Sequence, residues 1–231
     1  MEQGRCTAIV LAAGQGKRMH SKIQKQFLEI GRKPILYYSM ECFQKSPLIQ
    51  DIILVTGEDM ISYCQSEIVE KYGFTKVCKV TAGGKERYDS VYAGLLCCQD
   101  TDYVYIHDGA RPFVTEEMIQ RGYEAVKRTN ACVMGMPSKD TVKLADPSGY
   151  IKETPDRKIV WNIQTPQIFS YDLIRGAYES IRKKDMTGVT DDAMAVEQET
   201  GTKILLVEGS YQNIKITTPE DLAIAEAFLR Y

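Results

Sequence analysis

Two glycines and three cations near the start of the chain are the first residues whose types and spacing could do chemistry. Gly14 and Gly16 follow a short apolar run, Lys17 and Arg18 come directly after them, and Lys25 lies a little further on. Glycines let backbone N–H groups approach a polyphosphate closely, and the cations balance charge that backbone dipoles alone cannot. A tight turn with solvated basic residues fits the same letters. The dinucleotide-binding fingerprint does not, because Met19 takes the place of its third glycine and no strand-terminal acid follows at the required distance. Arg18, not Ser or Thr, follows Gly16-Lys17, so the loop is not a Walker phosphate loop either.

Two further clusters carry polar chemistry. Ala82-Gly83-Gly84-Lys85-Glu86-Arg87-Tyr88-Asp89-Ser90 sets a glycine pair against a helix start, where backbone groups can reach the edge of a flat base and the Ser90 hydroxyl can add one directional bond. An ordinary strand-to-helix turn would look the same. His107-Asp108-Gly109-Ala110-Arg111-Pro112 ends an apolar strand on charge, and an acid there is suited to a ribose hydroxyl or a magnesium-linked water. An Asp108–Arg111 ion pair that only shapes the loop is the competing reading. His107 reads as structural, and no Ser/His/Asp or Cys/His arrangement is visible. Thr141, Arg157, Thr165, Thr190 with Asp191, and Lys215 are scattered, but their types suit a second anionic substrate bearing hydroxyl groups.

The elements that must position these residues alternate. Thr7–Ala12, Asp51–Thr56, Lys76–Thr81, Tyr103–Asp108 and Ala131–Met136 read as strands, later joined by Lys203–Val207 and Asn213–Ile216. Pro34–Gln44, Met60–Tyr72, Glu86–Cys98, Glu116–Arg128, Ser170–Lys184 and Asp191–Glu199 read as helices, and Thr218-Pro219-Glu220-Asp221 opens a last one running to Arg230. Repeated strand–helix units predict an α/β fold: a mostly parallel sheet with helices on both faces. The three loop clusters then fall at the carboxyl ends of strands, where such sheets bind ligands. After Pro137 the rhythm breaks into an alternating polar stretch around an Asp146-Pro147-Ser148-Gly149 turn, which predicts an extended hairpin with too few apolar residues to fold alone. A second copy of the chain is the simplest surface for it to pack on.

Bulk composition narrows the class. The 231 residues, 44% hydrophobic and 26% charged, suit one domain with a sizeable core, and a net charge of −2 argues against a nucleic-acid binder. The N-terminus lacks a signal-like apolar region, and no run reaches the roughly 18 apolar residues of a membrane span. Seven cysteines, none spaced as CxxC, predict a reducing cytoplasmic setting in which most serve as small buried hydrophobes.

Taken in order, LAAGQGKRM, KQFLEIGRKPIL, AGGKERYDSV, HDGARP, KDTVK, TPDRKIVWNIQTPQ, TDDA and NIKITTPEDL resemble the 2-C-methyl-D-erythritol 4-phosphate cytidylyltransferase family of the non-mevalonate isoprenoid pathway, over nearly the whole chain. The resemblance implies a Rossmann-like nucleotidyltransferase domain over residues 1–231, with 137–161 as a dimerisation β-arm, working as a homodimer. It implies transfer of CMP from CTP to methylerythritol phosphate with Mg2+. Ala12, Ala13, Gly14, Gly16 and Arg18 would wrap the nucleotide, with Gly84, Lys85 and Ser90 facing the cytosine. Arg18 and Lys25 would stabilise charge at the α-phosphate, serving turnover and not stability. Asp108 and Arg111 would lie between nucleotide and acceptor, Arg157 and Lys215 would hold the acceptor phosphate, and Thr141, Thr165 and Thr190 would line its polyol. The metal would be carried mainly by the CTP phosphates, with Asp108 the candidate protein ligand. Lys85 and Gly109 depart from the family pattern, which carries an acid and an alanine there; a backbone contact at 85 and a looser loop at 109 are expected. The alternatives are ribitol-5-phosphate cytidylyltransferase and a non-catalytic nucleotide-binding module.

Overall fold

The structure, a computed structural model, describes residues 3–14, 24–184 and 188–230. Seven strands form one sheet: β1 (Cys6–Leu11), β4 (Ile49–Thr56), β5 (Val77–Ala82), β6 (Tyr103–Asp108), β7 (Ala131–Pro137), β10 (Trp161–Ser170) and β11 (Leu205–Glu208). Their order is β11-β7-β10-β6-β1-β4-β5, and every pairing is parallel except those of β10, which runs antiparallel between β6 and β7. Two short ribbons accompany the sheet, β2 (Glu29–Ile30) with β3 (Lys33–Pro34), and β8 (Leu144–Ala145) with β9 (Ile151–Glu153).

Alternation along the strands splits the core in two. Ala8 and Val10 of β1, with Ile52 and Leu54 of β4, pack under α1 (Ile35–Lys45), α4 (Glu116–Thr129) and the helical stretch that begins as α2 (Ile61–Tyr63) and widens to a π-helix over Cys64–Glu70. Ile9, Leu11, Ile53 and Val55 point the other way, under α3 (Arg87–Cys97), α5 (Tyr171–Ile181) and α6 (Asp192–Thr200). A strand buried on both faces must be apolar throughout, as VLAA and IILV are. The expected α/β sheet with helices on both faces is therefore present.

Several boundaries differ from expectation for identifiable reasons. The π-helical turns put adjacent Ile68 and Val69 both in the core, a pattern the α-helical period of Met60–Tyr72 did not anticipate. The hairpin's return limb is not peripheral: Trp161–Ser170 becomes β10 in the middle of the sheet, where Ile168 and Phe169 are fully buried. Its polar start and Pro166 hid it, and the ladder to β7 is indeed irregular between Ile163 and Gln167. Asn213–Ile216 is not a strand. Its backbone is held individually instead, Ile216 N–H by the Ala110 carbonyl at 2.9 Å and the Asn213 carbonyl by the Arg111 guanidinium at 2.7 Å. The last helix, α7 (Pro219–Phe228), opens with the expected Thr218/Asp221 capping box and ends before Arg230. Of the seven cysteines, all free, only Cys6, Cys64 and Cys132 are buried, fewer than the composition suggested.

Candidate active site

The chain leaves β1, builds β4 and β5 on one side, then crosses to place β6 on the other. Such a reversal opens a crevice beyond the strand ends. Leu11 pairs with Asp108 in the β1–β6 ladder, so Ala12–Gly14 and Gly109–Arg111 emerge side by side. A cleft of about 580 Å³ opens there, lined by Ala13, Gly14, Lys25, Gln26, Gly84, Lys85, Arg87, Ser90, Asp108, Ala110 and Lys215, among others. Residues far apart in sequence thus meet at one mouth.

Each wall has a local cause. Gly83 and Gly84 are required by crowding: a Cβ on Gly83 would lie 2.4 Å from Ser90 Oγ and 2.8 Å from Ala13 Cβ, and one on Gly84 would lie 2.2 Å from Asp89 Cβ. Ser90 Oγ accepts the Gly84 N–H at 3.2 Å and donates to the Glu86 carbonyl at 3.3 Å, folding the glycine turn over the first turn of α3. Gly109 is equally constrained. A methyl there would meet the Leu11 carbonyl oxygen at 2.9 Å and Leu36 Cδ1 at 2.8 Å, so the missing methyl leaves no slack and the expected loosening does not occur.

Asp108 is the electrostatic centre. Arg87 Nε reaches its Oδ1 at 3.2 Å, Lys215 Nζ reaches Oδ2 at 2.7 Å, and Arg111 Nε lies 4.0 Å from Oδ2. Burial alone would raise its pKa, but Arg87 and Lys215, with help from Arg111, hold the carboxyl well below the usual range. Behind it runs a buried relay. The Asp108 N–H donates to Thr165 Oγ1 at 3.0 Å, Thr165 Oγ1 meets His107 Nδ1 at 3.1 Å, and His107 Nε2 meets the Arg111 carbonyl at 3.0 Å. A carbonyl only accepts, so Nε2 carries the hydrogen, Nδ1 accepts from Thr165, and the ring is neutral. Burial lowers the His107 pKa from 6.5 to about 4, in accord with that tautomer.

The expected site residues divide into groups. Ala13, Gly14, Lys25, Gly84, Lys85, Ser90, Asp108 and Lys215 share the cleft. Ala12 is fully buried, and its N–H is committed to the Val55 carbonyl at 2.6 Å. Arg111 stands beside the cleft with Nε lacking a hydrogen-bond partner among the described residues. Thr165 is buried and its hydroxyl is engaged with Asp108 and His107, so it supports the site from beneath instead of lining a polyol subsite. Thr141 and Arg157 lie exposed on the β8–β9 arm, Arg157 bonded to the Lys139 carbonyl, and Thr190 is exposed just before α6. Gly16 and Arg18, with Lys17 and Met19, lie outside the described residues. Lys25 is itself buried and donates to the Ile216 carbonyl at 2.9 Å, so it bears on stability too, contrary to the expectation of a purely catalytic cation.

Sequence reasoning passed over Arg87, Asp192 and Gln26. Arg87 lines the cleft and forms a two-pronged ion pair with fully buried Asp192, at 2.9 and 2.8 Å. Both residues sit inside quoted motifs, AGGKERYDSV and TDDA, but no spacing reveals a contact between such distant positions. Gln26 binds the Gly14 carbonyl at 3.2 Å and leaves its own buried Oε1 without a partner among the described residues.

At the switch point of the sheet, the cleft between the Gly83–Gly84 turn, the residues after β1 and the cation-held Asp108 after β6 lies where open α/β sheets bind their ligands. The sequence profile of the 2-C-methyl-D-erythritol 4-phosphate cytidylyltransferase family matches residues 6–231, and the chain belongs to that family. Curated relatives bearing that name include those of Lachnospira eligens, 51% identical over 97% of this chain and 99% of the relative, and Lachnoclostridium phytofermentans, 52% identical over 97% and 96%. Among solved structures, 4-diphosphocytidyl-2C-methyl-D-erythritol synthase of Anaerococcus prevotii superposes with a TM-score of 0.87 at 34% identity, covering 99% of this chain and 97% of that one.

Proposed function

We propose that this protein transfers CMP from CTP to 2-C-methyl-D-erythritol 4-phosphate, giving 4-diphosphocytidyl-2-C-methyl-D-erythritol and pyrophosphate. The observation that carries the reading is the single cleft joining the glycine base slot to Asp108 and Lys215, in a chain of this family. An oxygen of the acceptor phosphate attacks the α-phosphorus of CTP; that P–O bond forms as the bond to the β-phosphate breaks, and its electron pair leaves with pyrophosphate. The nucleophile is already anionic, so no general base is needed, and His107, buried with both ring nitrogens engaged, takes no part in proton transfer. Catalysis rests on placing two anions in line and stabilising charge at the leaving group.

The residues divide that work. Ala13 and Gly14, with Gly16 and Arg18, take the nucleotide over buried Ala12, and Arg18 and Lys25 serve the charge at the α-phosphate. Gly84, Lys85 and Ser90 take the base, Lys85 through its backbone. Ser90 has spent its hydrogen on Glu86, so toward a ligand it can only accept. An accepting group suits the 4-amino group of cytosine and disfavours the 4-oxo group of uracil. Asp108 and Arg111 stand between the substrates; Lys215 and Arg157 hold the acceptor phosphate, with Thr141 and Thr190 toward its hydroxyls.

The CTP phosphates would be the main holders of magnesium, which would supply charge screening there. Both Asp108 oxygens are taken by cations, and no cluster of three or more His, Cys, Asp or Glu among the described residues could hold an ion. Residues 1–231 act as one domain, and the arm between Pro137 and Trp161 binds a second copy. Its exposed Tyr150, Ile151 and Ile159 supply an apolar surface to cover. Seven cysteines, all free, support the reducing cytoplasm as the enzyme's setting. Crossing CTP and UTP with methylerythritol 4-phosphate and ribitol 5-phosphate in a pyrophosphate-release assay tests the reading. CTP with methylerythritol 4-phosphate should be fastest, and equal or faster use of ribitol 5-phosphate would overturn it.

A further inference from the structure

Arg87 poses a question that the proposed reaction does not answer. It is a cation in the wall of a cleft that takes a triphosphate, yet its donors are turned to other tasks. Nη1 and Nη2 each donate to an oxygen of Asp192, at 2.9 and 2.8 Å, and Nε donates to Asp108 Oδ1 at 3.2 Å. Asp192 is fully buried at the first position of α6, and its Oδ1 also accepts the Tyr178 hydroxyl at 2.6 Å. The guanidinium is thus clamped from the α5–α6 side, and swinging it onto a phosphate would strip a buried carboxylate of its cation.

We propose that Arg87 is a positioning residue: Asp192 holds its fork rigid so that Nε fixes the Asp108 carboxylate between the two substrates. The inference rests on the reading of the reaction given above. Asp108 has a second close cation, Lys215 at 2.7 Å, whose side chain is 37% exposed. In the proposed reaction Lys215 turns to the acceptor phosphate. When it does, Asp108 keeps Arg87, whose other donors anchor it to the neighbouring helix α6. A planar fork can serve two carboxylates in fixed directions at once; a lysine ammonium on a flexible stem can neutralise charge but cannot fix both.

Arg87→Lys and Asp192→Asn separate positioning from mere structural support. Each variant is assayed for pyrophosphate release with both substrates saturating, well below its own melting temperature, beside CTP binding by calorimetry. The expected result is a fall in kcat of roughly 10- to 100-fold for Arg87→Lys, with CTP affinity and both KM values within about threefold of the native enzyme, because a small misplacement of a catalytic group is felt mainly in the transition state. Asp192→Asn should fall in the same direction. A purely structural role would lower the melting temperature and leave kcat intact, so a folded Arg87→Lys enzyme with native kcat overturns the proposal. If Asp192→Asn does not fold, Arg87→Lys decides alone. Failure of the native enzyme to use CTP with methylerythritol 4-phosphate would instead count against the reaction, so the two failures are distinct.

Discussion

Asp108 and the residues behind it show how one side chain is set by its neighbours. The sequence placed Asp108, Arg111, Lys25 and Lys215 as candidates by type and by strand end. It could not show that Thr165 and His107 would serve as their foundation, since that depends on β10 entering the sheet next to β6. His107 makes the testable case. Its pKa is depressed from 6.5 to about 4 by burial, so the folded protein binds fewer protons than the unfolded chain between those values. The stability it contributes is intact above pH 6.5 and is lost as pH falls toward 4, amounting to on the order of 3 kcal/mol. Urea midpoints at pH 7 and pH 4.5 should diverge strongly in the native protein and much less in His107→Gln; equal losses would refute the assignment. Gly109→Ala should destabilise by about 1–3 kcal/mol because the added methyl would lie only 2.9 Å from the Leu11 carbonyl oxygen. A neutral or more stable variant, measured by the same melts, would show that the loop has room after all.

At the scale of elements, the segment 213–217 and α7 act as a unit that delivers Lys215. Ile216 is fully buried with Ile30, Ile35 and Ala225, and its carbonyl takes the Lys25 ammonium. Asp221 closes the unit by accepting the N–H groups of Thr217 and Thr218 at 2.7 and 2.9 Å. Asp221→Ala should therefore cost about 1–2 kcal/mol as a lost cap. It should also raise the KM for the acceptor phosphate while leaving that for CTP close to native, and an unchanged acceptor KM would separate the cap from the site. The cap, its proline and its acids were legible in Thr218-Pro219-Glu220-Asp221. The irregular course of Asn213–Ile216 was not, because it is held by side chains from residues over one hundred positions away, such as Arg111. Likewise the pattern of apolar runs disclosed six parallel strands, whereas β10 was hidden by its polar first half and by Pro166.

The whole molecule pairs a compact sheet with an arm whose β8 and β9 are exposed along their whole length. Arg157 and Thr141 ride on that arm, away from the cleft of their own chain, so the proposed homodimer has a consequence for catalysis: each site would join the cleft of one chain to the arm of the other. A dimer of one Lys25→Ala chain and one Arg157→Ala chain would then hold one doubly defective site and one intact site. Random re-pairing of equal amounts should restore roughly a quarter of native sites. Confirmed mixed dimers without recovered pyrophosphate release would place Arg157 within its own chain's site or outside catalysis.

Competition between two acceptors for one enzyme decides the identity of the substrates. Purified protein is given limiting CTP, magnesium, and equal concentrations of methylerythritol 4-phosphate and ribitol 5-phosphate, and the cytidylylated products are resolved by mass. 4-Diphosphocytidyl-2-C-methyl-D-erythritol should form with stoichiometric pyrophosphate and dominate the mixture. A product mixture dominated by CDP-ribitol, or CTP left unconsumed by an enzyme that still binds it, would contradict it.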